Sequence, residues 1–242
     1  MFSSLAVNKT IGKLLANCCE QTYEQYLNNG VFTCPEGFRV VQGFQAKAIK
    51  KTEWFGFILE SEESIIVAFR GTQSDPDWIA DSLITQREYP YTANSGNVHS
   101  GFLSIYETCR DTIMEALVKL PSNKTLLVTG HSLGGALAVL HMLDARVNTS
   151  FNNYIMYSFA GPKVGDLAFK NYYNLQVANS YRFVNLFDVV PLLPPRKISL
   201  EKIEREWEYF HVNNPLTFAM NMGSIIKNHG MPTYIAGVER LT

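Results

Sequence analysis

Ser132 stands between Gly130 and Gly134 in the run TLLVTGHSLGGALA, Thr125 to Ala138. A serine hydroxyl attacks a carbonyl carbon only when a base takes its proton and a carboxylate orients that base. Five histidines compete for the role of base: His99, His131, His141, His211 and His229. His131 adjoins Ser132, and side chains of neighbouring residues diverge on a sharp turn. His141 is nine residues further along, about 13 Å away by helical rise. His99 precedes the small-residue turn His-Ser-Gly and is expected to serve as a structural hydrogen bonder. His229, in KNHGMP on a loop marked by Gly230 and Pro232, is preferred, with His211 beside Asn213-Asn214-Pro215 as the alternative. Among the acids, Asp144 fails by the same distance argument. Asp188 ends the run YRFVNLF and is preferred. Asp166, in GPKVGD, is the alternative, although a turn or cap role suits it better.

These side chains need a frame that brings their segments to one edge. Leu126, Leu127 and Val128 lead into the serine as a strand, and Ala136, Leu137, Val139, Leu140 and Leu143 follow at helical spacing. In such a strand–turn–helix the serine adopts strained backbone angles that lift its hydroxyl above the sheet. Gly130, Gly134 and Gly135 are expected where a Cβ would collide with a neighbouring segment. WFGFILE and SIIVAFR read as an antiparallel hairpin. From Gly101 onwards, helix and strand alternate: a helix from about Leu103 to Leu120, the serine unit, a strand Tyr154–Phe159, a helix near Leu167–Tyr173, and a strand Tyr181–Phe187. Alternation predicts a mostly parallel central sheet with helices on both faces and an antiparallel N-terminal edge. Sites on such sheets gather at the carboxyl ends of strands, where Ser132, Gly71-Thr72, Gly161-Pro162 and Asp188 all fall. Ile11, Leu14, Leu15, Cys18, Thr22 and Tyr26 mark an amphipathic first helix, expected to pack on the sheet edge. The oxyanion of an acyl transfer needs two donors in place beforehand. The N–H of Leu133 is one, and Thr72, following Gly71 at the exit of AFRGT, offers the other.

Composition narrows the classes. The 242 residues carry a net charge of −1, without the clustered Lys and Arg that nucleic acid requires. No apolar run reaches membrane-spanning length. No basic region precedes an apolar one at the N-terminus, so the expectation is a cytoplasmic protein or a secreted mature form. Cys18, Cys19, Cys34 and Cys109 lack metal-ligand spacing and read as buried free thiols, and the chemistry of a serine nucleophile implies no metal or organic cofactor. No linker interrupts the chain, and 1–242 is read as one domain.

The stretch SDPDWIADSLITQREYP begins with a good helix start at Asp75-Pro76. Trp78, Ile79, Leu83 and Ile84 then form an apolar stripe. Leu216, Phe218, Met220, Met222, Ile225 and Ile226, in PLTFAMNMGSII, line an acyl-chain groove or fill the core, and the sequence does not choose.

Taken in order, FRGT, DWIAD, VHSGF, TGHSLGGALA, AGPKVGD, FDVVPLLPP and a late histidine resemble the class 3, fungal-type lipase family of α/β-hydrolases, over roughly Trp54 to Tyr234. The resemblance implies an α/β-hydrolase fold, a triad of Ser132, Asp188 and His229, and Thr72 and Leu133 as oxyanion donors. It implies that the stripe of Trp78, Ile79, Leu83 and Ile84 belongs to a lid over about 74–88, with a fixed pocket wall as the alternative. It also implies a serine carboxylester hydrolase, a lipase acting on acylglycerols through an acyl-enzyme, with transient contact at a lipid–water interface. Phospholipase A1, a small-ester or feruloyl-type esterase, and a catalytically idle lipid-binding fold are the competing readings. The stretch Arg196 to Asn228 matches none of these motifs.

Overall fold

The computed structural model describes residues 8–48, 51–72, 85–200, 205–212 and 214–240. The candidate lid residues Trp78, Ile79, Leu83 and Ile84 lie outside the described residues. The central sheet uses β1 (Arg39–Ala48), β2 (Lys51–Glu60), β3 (Ser64–Phe69), β6 (Thr125–His131), β7 (Tyr154–Phe159), β8 (Ser180–Asn185) and β11 (Pro215–Phe218). These are ordered β1-β2-β3-β6-β7-β8-β11. The β1/β2 and β2/β3 pairs are antiparallel, and every pair from β3 to β11 is parallel. Two short antiparallel ribbons lie beside this sheet: β4 (Gln86–Glu88) with β5 (Asn97–His99), and β9 (Lys197–Leu200) with β10 (Arg205–Glu208). The mostly parallel sheet with an antiparallel N-terminal edge is the predicted α/β-hydrolase arrangement.

Period-two alternation divides the core between the two faces. On β3, Ile65, Val67 and Phe69 enter one apolar cluster, while Ile66 and Ala68 enter the other. On β6, Leu126 and Val128 join the first and Leu127 the second. Helices α2 (Ser100–Leu117) and α3 (Leu133–Asn148) cover the first face, and α1 (Lys9–Leu27) and α6 (Met231–Arg240) cover the second. Helix α4 (Leu167–Gln176) follows β7 and starts on Asp166, whose carboxylate accepts from the Phe169 N–H at 2.8 Å. The short helix α5 (Ile225–His229) precedes α6.

Two expectations need correction. Helix α1 does not sit at the sheet edge but lies across β2, β3, β6 and β7. Its stripe of Leu15, Ala16, Cys18 and Cys19 is fully buried in one apolar cluster with Phe57, Ile66, Leu127 and Tyr157 of those strands, which removes it from water. The second correction concerns Pro215–Phe218, which forms a seventh strand parallel to β8. Phe218 and Met220 are core residues on the face covered by α1 and α6, with Leu216 packed against that core. Met222 is exposed. Core filling therefore accounts for Leu216, Phe218 and Met220, while Ile225 and Ile226 are exposed like Met222.

The close approach of β3, β6 and α3 depends on two glycines. A Cβ on Gly130 would lie 2.0 Å from the Gly134 carbonyl oxygen, and one on Gly134 would lie 2.2 Å from that of Phe69. Both obstacles are backbone and cannot rotate away. Gly134→Ala is accordingly expected to destabilise the fold by about 3 kcal/mol, the upper end of ordinary overpacking, read as a fall in the denaturant midpoint.

Candidate active site

Ser132 occupies the one-residue junction between β6 and α3, with φ 56° and ψ −125°. A side-chain-bearing residue is strained there, by about 1–3 kcal/mol. Its N–H donates to the Phe159 carbonyl and its own carbonyl accepts from Gly135, so backbone bonds to β7 and to the first turn of α3 hold the junction. Among the described residues its hydroxyl makes no hydrogen bond, which leaves it available for an incoming group. Leu133 opens α3, so its N–H has no acceptor within the helix and lies at the positive end of the helix dipole. Thr72 is half-buried just beyond β3. Gly71 brings that loop against the serine: a Cβ placed there would lie 3.0 Å from Ser132 Cβ.

Asp188 lies three residues beyond the end of β8 and is 3% exposed. His229 Nδ1 is 2.8 Å from Asp188 Oδ2, and the Tyr234 hydroxyl donates to the same oxygen at 2.7 Å. The Val190 N–H donates to Oδ1 at 3.0 Å. A carboxylate only accepts, so Nδ1 carries the proton and Nε2 of a neutral His229 has an open lone pair. Burial, reinforced by the nearby carboxylate, pushes the Tyr234 phenol well above its ordinary range, so it remains a donor. The His229 ring lies 4.7 Å, centroid to centroid, from that of His131, the residue preceding Ser132.

The other histidines take distinct places. His99 Nδ1 accepts from the Gly101 and Phe102 N–H groups and caps α2, as its small-residue turn suggested. His141 is buried beside Tyr106, which donates to Asp144; Arg110 pairs with the same carboxylate at 2.6 Å. His211 donates from Nε2 to the Pro191 carbonyl at 2.6 Å, and burial pushes its pKa down to about 3. It braces the turn after Asp188, and Lys163 holds the Leu192 and Pro194 carbonyls of the same turn. The structure thus joins Asp188 to His229 and places His211 elsewhere.

Three groups of residues escaped the sequence reading. Asn185 donates to the carbonyls of Met220 and Asn228 and accepts from the Met220 N–H. Asn228 in turn donates to the Phe187 carbonyl and accepts from the Met222 N–H at 2.6 Å. Together they tie the Asp188 turn to α5, which carries His229. Arg70, 1% exposed, pairs with Glu53 at 3.0 Å, donates to the Trp54 carbonyl and lies over the Tyr26 ring, fixing the strand exit before Gly71-Thr72. His131 is the third and is taken up below. The asparagines and Arg70 bond to backbone or to partners distant in sequence, which no local spacing reveals. The thiols of Cys18, Cys19 and Cys109 are buried and free, and burial raises the pKa of Cys19 and Cys109 to about 12. Among the described residues no group of three His, Cys, Asp or Glu could hold a metal ion, and no helix is long and apolar enough to cross a membrane.

A mostly parallel sheet with a strained serine at a strand–helix junction places the protein among the α/β-hydrolases. Within them, residues 66–198 match the family described as Lipase (class 3), and the chain belongs to that family. It is 39% identical over 143 residues to a lipase of Rhizomucor miehei, covering 56% of this chain and 39% of that protein. The solved structure of the Rhizomucor miehei triacylglyceride lipase superposes with a TM-score of 0.70 at 24% identity, over 86% of this chain and 78% of that one. The secreted mono- and diacylglycerol lipase A of Penicillium cyclopium is 30% identical over 188 residues, 75% of this chain and 61% of its own length. The chloroplastic phospholipase A1-Igamma2 of Arabidopsis thaliana is 30% identical over 216 residues, 69% of this chain and 41% of its own length. The chain thus spans between about two fifths and three fifths of these curated relatives.

Proposed function

We propose that the chain is a serine carboxylester hydrolase whose substrates are acylglycerol esters. Ser132 Oγ attacks the ester carbonyl carbon as His229 Nε2 takes the hydroxyl proton, and Asp188 steadies the imidazolium that forms. The carbonyl electron pair moves onto oxygen, where the N–H groups of Leu133 and Thr72 receive it. Collapse of the tetrahedral species expels the alcohol, which takes the proton from His229. Water then repeats the sequence on the acyl-enzyme and releases the acid. The observation that carries this reading is the 2.8 Å bond to Asp188 from His229, the last residue of α5, whose ring rests against the residue before the strained serine. The names of the relatives support ester lipids as the substrate class, and their head groups differ.

On the same reading 1–242 acts as one domain, with the apolar stripe of Trp78, Ile79, Leu83 and Ile84 as its lid, ending before the strand at Gln86–Glu88, and a lipid–water interface as its transient partner. The test has two parts. Labelling by a fluorophosphonate, mapped by mass spectrometry, is expected at Ser132 and separates an active hydrolase from a lipid-binding module. Hydrolysis of a triacylglycerol series is then followed below and above the solubility limit, beside a diacyl phospholipid and a short soluble ester. A rate that jumps when the triacylglycerol emulsifies supports a lipase with a lid. Preference for the phospholipid makes it a phospholipase A1, and preference for the soluble ester an esterase.

A further inference from the structure

Tyr23 and His131 are neither nucleophile, base nor acid, yet they touch all three segments that converge on Ser132. The Tyr23 hydroxyl, from α1, lies 2.7 Å from His131 Nδ1. His131 Nε2 lies 2.8 Å from the backbone carbonyl oxygen of His229. At the other end, a Cβ on Gly71 would sit 2.2 Å from the Tyr23 oxygen, so the oxyanion loop lies directly against that hydroxyl.

The direction of this chain follows from its last link. A carbonyl oxygen has no proton to give, so His131 Nε2–H is the donor. Burial, followed by the neighbouring His229, pushes the His131 pKa well below its ordinary value and keeps the ring neutral. Nδ1 is then an acceptor and Tyr23 must donate to it. The Tyr23 oxygen keeps its lone pairs, and Gly71 packs directly against it. Donors therefore point one way, from Tyr23 through His131 to the His229 carbonyl, an arrangement in which each bond polarises the next.

We propose that Tyr23 and His131 are positioning residues: their hydrogen bonds hold the His229 backbone, and the Tyr23 hydroxyl packed on Gly71 holds the Gly71-Thr72 loop, in register about Ser132. The inference rests on the serine-hydrolase reading above. It extends the site to α1, outside the matched stretch 66–198, and to a histidine whose side chain was expected to turn away.

The test compares Tyr23→Phe, His131→Gln and His131→Phe with the unaltered protein on a soluble nitrophenyl ester. It records kcat/KM, the rate of fluorophosphonate labelling and the melting temperature. Small displacements of reacting groups cost up to about a hundredfold, so Tyr23→Phe is expected to lose about tenfold and His131→Phe about a hundredfold in kcat/KM and labelling rate alike. His131→Gln keeps an N–H donor at the ε position and is expected to fall between. A purely steric role predicts the opposite order, because phenylalanine keeps the ring and glutamine does not. The proposal is overturned if His131→Phe matches or exceeds His131→Gln, or if Tyr23→Phe stays within about twofold of the unaltered protein, small beside the expected displacement cost. Failure of the unaltered protein to hydrolyse the ester or to label at Ser132 would instead refute the hydrolase reading.

Discussion

Replacing Ser132 by alanine is expected to lower kcat on a soluble ester by about six orders of magnitude, the scale on which loss of a triad nucleophile is felt. Alanine keeps the Cβ and removes only Oγ, which makes no hydrogen bond among the described residues, so the fold should barely respond. What disappears is the atom that forms the acyl-enzyme. The oxyanion donors remain, so a small residue of catalysis above the water reaction should survive. Ser132→Gly gives a sharper contrast. At φ 56° and ψ −125° a residue without a Cβ is unstrained, so this variant should be as inactive yet melt higher, by about 1 kcal/mol of added stability. A protein stabilised by the substitution that silences it would locate the strain at the nucleophile. Turnover of Ser132→Ala within tenfold of the unaltered protein would mean that another group attacks, and would end the proposed mechanism. Nitrophenyl ester turnover and thermal melts read both variants.

The parts of this molecule legible in the sequence are those whose cause is local. The alternation on β3 and β6, the abrupt change to helical spacing after Ser132, and the aspartate just past β8 each follow from a short run of residues. His229 emerged because its loop carries turn residues and the competing histidines failed on distance or setting. What remained hidden depends on partners far along the chain. Strand β11 is four residues long, opens with proline, and pairs with β8 some thirty residues earlier, so its apolar run had no period to betray it. The place of α1 on the sheet face is decided by the apolar cluster its stripe forms with the central strands. Apart from the Asn228 bond to Met222, which spans 6 residues, Asn185, Asn228 and His131 act through bonds spanning 35 to 98 residues. The shorter Asn228 contacts are local in number only, since they matter by closing one loop onto another. His131 was set aside by a sound rule about neighbouring side chains, but His229 reaches across to it from the far end of the chain.

Asp188→Asn is the second large effect, and the hydrogen bonds around the carboxylate determine how it arises. Oδ2 accepts from both His229 Nδ1–H and Tyr234 O–H, while Oδ1 accepts from the Val190 N–H. An amide has one oxygen and one NH2 for these three donors. If its oxygen stays with Val190, the NH2 faces His229, whose Nδ1 must then accept. The proton moves to Nε2, and the ring can no longer take the proton of Ser132. If the amide turns over, its oxygen keeps His229 and Tyr234, but its NH2 meets the Val190 N–H, and two buried donors face each other at a cost of about 1–3 kcal/mol. The second arrangement preserves the useful tautomer at the expense of the turn that carries the residue. The first preserves the turn, because Tyr234 can rotate to accept and a histidine can exchange tautomers without moving. The introduced asparagine should therefore settle in the inactive arrangement, with kcat lower by about four orders of magnitude and the melting temperature little changed. The signature separating the two outcomes is the relation between activity and stability, measured by ester hydrolysis and melting of the same preparation. A large loss at unchanged stability supports orientation of His229 by Asp188. A stable variant that retains more than a tenth of its activity would show that His229 is held in its tautomer by something other than this carboxylate.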